Sequence, residues 1–194
     1  MSNLTTEGRV SLSVSHPPSG LIPNSEPPLY ICRTDAGEGA KDYVTLLSPV
    51  ITSSLGLVAE AIVGTLLKPI EPGKRNITPD AFAHNSAFVN FMHEVIIREA
   101  PKQSGAQAEA KRLGEGWIYI IDERAGARGT AVGPEDLIGA FKVRDGQIVL
   151  ESYSPNRGHR ILSERGFFKL EAGLLKLLLQ ALIVHSSRPT TVAS

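Results

Sequence analysis

One cysteine, one tryptophan and two methionines are spread over 194 residues, and aromatic side chains make up only 6% of the chain. The single Cys32 excludes an internal disulfide framework and any multi-cysteine zinc or iron–sulfur site. An excess of one charge is also missing. Twenty basic against 20 acidic side chains give a formal net charge of zero, which argues against a nucleic-acid binder that works by bulk electrostatics. No apolar run reaches the roughly eighteen residues that span a bilayer. The first residues lack the basic start and apolar core of a secretory signal. What is present is 42% hydrophobic residues, in a length that buries the core of one domain without staples. This balance points to a soluble globular protein of a reducing compartment. That compartment is its own cytoplasm, or a host cytosol reached by a non-Sec injection route.

The chain begins with a stretch, 1–28, that holds Pro17, Pro18, Pro23, Pro27 and Pro28 and no periodic apolar pattern. It reads as an irregular arm, either a disordered tail or a secretion or chaperone-binding segment. A domain is expected over 29–185 and a flexible tail over 186–194. Leu29 to Arg33 is a candidate strand. Ile51, Leu55, Val58, Ile62 and Leu66 recur at helical spacing and predict a helix from Pro49 to about Lys68. Thr78-Pro79 predicts the start of a second helix, with Phe88, Phe91, Met92, Val95 and Ile96 on its apolar face and Pro101 at its end. Residues 102–113 read as a polar loop with a helical turn. Trp117 to Ile121 predicts a central strand, and Asp145-Gly146 a tight hairpin turn between 138–144 and 147–150. The Leu-rich segment 170–184 predicts a helix that is apolar nearly all round, buried by its own protein or by a partner. The fold class expected is α+β: a single domain in which helices pack on a small, mostly antiparallel sheet.

Several chemistries are excluded by spacing. His84 and His93, read on one helix nine residues apart, face opposite sides and share no metal. The chain has no H-E-x-x-H, no P-loop and no G-x-G-x-x-G between a strand and a helix. Cys32 in an apolar strand reads as an inert core thiol. Arg157, His159, Arg160, Arg165 and Lys169 form a local basic patch. It is either a solvated loop or a contact for a phosphate or an acidic partner surface.

The most informative stretch is 114–167. Gly114-Glu-Gly-Trp-Ile-Tyr-Ile-Ile-Asp122 precedes a Gly/Arg loop. Val132, Pro134, Ile138, Gly139 and Val143 then mark a strand, and Asn156-Arg157-Gly158-His159-Arg160 follows the hairpin. This order resembles the C-terminal half of the cholera-toxin-like mono-ADP-ribosyltransferases. The resemblance implies an effector- or toxin-type enzyme, with NAD as the donor substrate and a protein or another macromolecule as the acceptor. Leu29-Tyr30-Ile31-Cys32-Arg33-Thr34-Asp35 is similar to that family's first strand, which would make Arg33 and Asp35 cofactor-binding residues. Ser53, in Thr52-Ser53-Ser54, would scaffold the pocket. In that family the last Glu of a Glu-x-Glu stabilises positive charge at the sugar carbon. The two positions fall here on Glu123 and Ala125, which leaves Glu123 as the surviving candidate catalytic carboxylate. The alternative is a catalytically inactive module that holds a protein partner with 153–169 or with the Leu-rich helix.

Overall fold

The computed structural model describes residues 21–22, 25–35, 40–68, 77–126 and 132–188. The expected arm therefore falls mostly outside the described residues, as do residues 189–194 of the expected tail. At its edge, Leu21 bridges Tyr30, and Ile22 is 6% exposed and belongs to the core.

The described chain is a small α+β domain with antiparallel sheets and four α-helices. Its first sheet runs in sequence order: β1 (Tyr30–Asp35), β2 (Ala40–Thr45), β3 (Ile62–Leu66) and β4 (Phe82–His84). In the second sheet β5 (Gly116–Ile121) pairs β6 (Leu137–Arg144), which also pairs β7 (Gln147–Ile148) and the two-residue β8 (Ser154–Pro155). A short ribbon, β9 (Leu162–Ser163) with β10 (Gly166–Phe167), completes the strands. The helices are α1 (Pro49–Leu55), α2 (Ser86–Glu99), α3 (Ser104–Leu113) and α4 (Ala172–Ser186).

Four expected elements differ from the observed ones. The helix over 49–68 stops at Leu55, because Gly56 takes φ 76° and its N–H caps onto Thr52. The apolar residues beyond it, Ile62, Val63 and Leu66, are β3, where β-branched side chains suit a pleated surface. The second helix starts at Ser86 rather than at Thr78-Pro79. Asn85 caps it by accepting from Ala87 N at 3.1 Å, and Pro79–Ala81 is a single 3₁₀ turn before β4. His84 therefore sits on a strand, not on the helix of His93. Residues 104–113 form a complete helix, closed by Gly114 at φ 74°. Finally, β5 is an edge strand and not a central one, since it pairs only with β6 among the described residues.

The hairpin stands where expected, with Asp145 at φ 50° and Gly146 at φ 71°, both in the left-handed region that a primed two-residue turn requires. The expected apolar face of α2 is also there: Phe88, Met92, Val95 and Ile96 are buried. Leu174, Leu178 and Leu182 line the buried side of α4 at spacings of four, while Val184 is 58% exposed, so the core takes up most of this Leu-rich surface. One continuous core joins both sheets, α2 and α4. Close packing fixes Gly64 within it: a Cβ there would lie 2.3 Å from the Phe82 ring and 2.4 Å from the Ala83 carbonyl. No helix among the described residues is long and apolar enough to cross a membrane.

Candidate functional site

Where β5 ends, the chain turns inward instead of out to solvent. Asp122 is 0% exposed and caps the 3₁₀ turn Glu123–Ala125. Its Oδ1 accepts from Arg124 N at 3.0 Å and Lys169 N at 2.9 Å. Oδ2 faces the Arg124 guanidinium at 2.8 Å and His159 Nε2 at 3.0 Å. Burial alone pushes the Asp122 carboxyl pKa up. Hydrogen bonds from His159 and Arg124, with the charge of Arg124, outweigh it and hold the group below its ordinary value.

Arg124 is the hub of the surrounding loop. Its Nη1 donates to Ser163 Oγ at 3.0 Å and to the Gly166 carbonyl at 2.7 Å, and its Nη2 to the Arg160 carbonyl at 2.5 Å. A second pair runs in parallel: Arg165 bonds the buried Asp136 and lies 3.5 Å from Glu135 Oε1, and the Asp136 bond raises the guanidinium pKa. Asn156 ties the same loop to the start of β6 through the carbonyls of Pro134 (2.5 Å) and Leu137 (2.6 Å). Two buried carboxylates thus meet two guanidinium groups; Asp122 is also held by backbone N–H groups, whereas Asp136 relies on the half-exposed Arg165 and its Oδ1 has no partner among the described residues.

This loop, 156–170, frames an open cleft of about 460 Å³ lined by Pro134, Glu135, Gly158, Arg160, Glu164 and Arg165. Of the basic patch read from the sequence, His159 and Arg165 face the network. Arg157 and Arg160 remain exposed, without a side-chain hydrogen bond or ion pair among the described residues. Of the neighbours Glu123 and Arg124, Arg124 is buried and Glu123 exposed.

Two of the residues singled out for NAD have local partners. Arg33 forms a two-pronged pair with Asp42 at 2.8 and 2.7 Å. Ser53 Oγ donates to the Pro49 carbonyl at 2.8 Å. Cys32 Sγ faces Thr52 Oγ1 at 3.9 Å, so strand alternation aims Arg33 away from α1 and Ser53. The side chain of Asp35 lies outside the described residues, as do residues 127–131 of the basic loop. Cys32 is a buried free thiol, and burial pushes its pKa up. Among the described residues no cluster of His, Cys, Asp or Glu is grouped to hold a metal.

Asp122, Asp136, Arg124 and Tyr153 were not marked by sequence reasoning, whereas His93 is, as a hydrogen-bonded helix-face residue rather than a metal ligand. The Asp122-x-Arg124 spacing, with an acid in cap position before a turn, is the signal that would have found the first pair. His93 Nδ1 lies 2.7 Å from Tyr153 Oη, whose ring packs 4.8 Å from Phe141 and fills the space that a Cβ on Gly139 would take. No known protein family, curated protein or solved structure matches the chain.

Burial, joined by the charge of His159, holds the His93 pKa below 6.5. Between that lowered folded value and 6.5 the unfolded chain binds more protons, so the stability from neutral His93 is complete above 6.5 and declines as pH falls through the window. Urea midpoints on either side of pH 6.5 will show this loss in the wild type and a smaller one in His93→Gln.

Proposed function

We propose that this chain is a protein-binding module whose contact element is the 156–166 loop, with Arg157 and Arg160 receiving carboxylates of an acidic partner segment. The observation that carries this reading is the contrast within one loop. The buried Asp122–Arg124 pair and the half-exposed Arg165 on buried Asp136 hold it to the second sheet, while Arg157 and Arg160 have no side-chain partner among the described residues, Arg160 on the rim of a cleft. A guanidinium on a fixed backbone loses little entropy on binding and suits two-pronged carboxylate contacts. Glu135 and Glu164 on the same rim favour a partner that also carries a basic residue, which adds selectivity by charge pattern.

Acidic peptides titrated into the protein by fluorescence polarisation test this. Binding is expected to weaken with salt. It should fall about tenfold or more for each of Arg157→Glu and Arg160→Glu, the range of charge-assisted hydrogen bonds. Equal binding by wild type and both variants contradicts the proposal.

A second reading is the NAD-dependent ADP-ribosyltransferase. Its support is Glu123, an exposed carboxylate on a backbone fixed by the 2.9 Å bond from its own N–H to the Lys169 carbonyl. Arg33 would have to exchange Asp42 for a phosphate, and Arg33 and Ser53 face away from one another. Nicotinamide release from labelled NAD, lost in Glu123→Ala, is the expected outcome of this reading. No release above buffer, with no NAD binding by calorimetry, removes it and leaves the binding module.

A further inference from the structure

A groove of about 720 Å³, within the range of small-molecule sites, runs between α2 and α4 and takes no residue from the 156–166 loop. Asn90, Phe91, Glu94 and Arg98 line it from one face of α2, and Leu177, Ala181, Val184 and Arg188 from one face of α4. The helices run antiparallel. At one end, a Cβ on Gly173 near the start of α4 would lie 3.2 Å from Gln103 Oε1, just past α2. Toward the other, the ring of His185 near the end of α4 meets the Phe91 ring at 5.1 Å. Most charges in the groove already have a counterpart. Glu60 Oε2 lies 3.3 Å from His185 Nε2. Arg98, one turn beyond Glu94, turns to Glu99 at 2.7 Å, and Glu99 also holds Lys102 at 3.1 Å. Arg188 has a partner and lies one turn past His185, on the far side of Phe91 from Glu94. The exposed Glu94 carboxylate has no side-chain hydrogen bond or ion pair among the described residues, and neither do the exposed amides of Asn90 and Gln180.

We propose that this groove binds a small organic amine, with its ammonium on Glu94 and its apolar body over Phe91, Ala181 and Val184. An ammonium brings one positive charge and three N–H donors. The groove offers the matching set: one carboxylate without a counter-charge and two amide carbonyls, from Asn90 and Gln180. Phe91 stands one turn before Glu94 on the same helix face, so an aromatic ring flanks the cation as well. A carboxylate or phosphate ligand would instead meet Glu94 with like charge, which opposes binding.

The test is a titration of phenethylamine into the isotope-labelled full chain, followed by amide NMR shifts. Phenylacetate and phenethyl alcohol carry a similar body with an anion or a neutral hydroxyl and serve as controls. The expected result is saturable shifts along 87–98 and 177–188 with the amine, and weaker binding of both controls. Glu94→Gln lowers the amine's affinity about fivefold, the upper range for an exposed ion pair. Glu94→Lys abolishes binding, and because Glu94 is exposed both variants keep the wild-type circular dichroism spectrum. Saturable shifts that are absent or lie outside the two helices overturn the proposal. So does equal binding of either control, or an affinity unchanged in Glu94→Lys.

Discussion

The carboxylate of Asp122 is the constraint on which the rest of the site depends. It sits fully buried at the end of β5 and fills its acceptor positions from three directions: its own 3₁₀ turn, His159 and the backbone of Lys169. These partners are 2, 37 and 47 residues away in sequence. One side chain thereby fixes where a long polar loop returns to the sheet. Buried ion pairs seldom add much net stability, because desolvation offsets most of the attraction. What they contribute here is position: Asp122 takes bonds from His159 and Lys169, near the two ends of 156–170.

That loop has two faces. On one, Phe167 packs edge-on against Phe82 of β4 at 5.3 Å and Phe168 against Phe88 of α2 at 5.7 Å, tying the ribbon to the first sheet and the helices. On the other, Ser163, Arg165 and the carbonyls of Arg160 and Gly166 meet the charged network at the end of the second sheet. The loop therefore links the two sheets through apolar burial on one side and hydrogen bonds on the other. Arg157 and Arg160 belong to neither set and stay exposed.

The fold was readable in the sequence wherever a local rule decided the structure. Asp145-Gly146 made its hairpin, the Phe88–Ile96 stripe made α2, and the Leu-rich segment made α4. It was misread where two periodicities overlapped. Ile62 and Leu66 suit a helix as well as a strand by spacing, and Gly56 with pairing to β2 and β4 decided for the strand. Trp117 to Ile121 looked central because it is uniformly apolar, yet its position at an edge follows from pairing, which composition does not encode. The site was legible only in outline. The basic character of 157–169 was visible, but which arginines face inward depends on Asp122 and Asp136, acids from elsewhere in the chain. Arg33, Ser53 and Glu123 were chosen by order along the sequence, and three-dimensional placement gives each its own local surroundings.

A buried carboxylate at the end of β5 holds the 156–170 loop in place. Hydrogen–deuterium exchange of Asp122→Asn against the wild type tests it most directly. Loss of the charge should speed exchange in 122–126, 132–136 and 156–170 while β1 to β3 stay as protected as in the wild type. Unchanged exchange in those three segments, or a uniform increase over the whole chain, would contradict the claim.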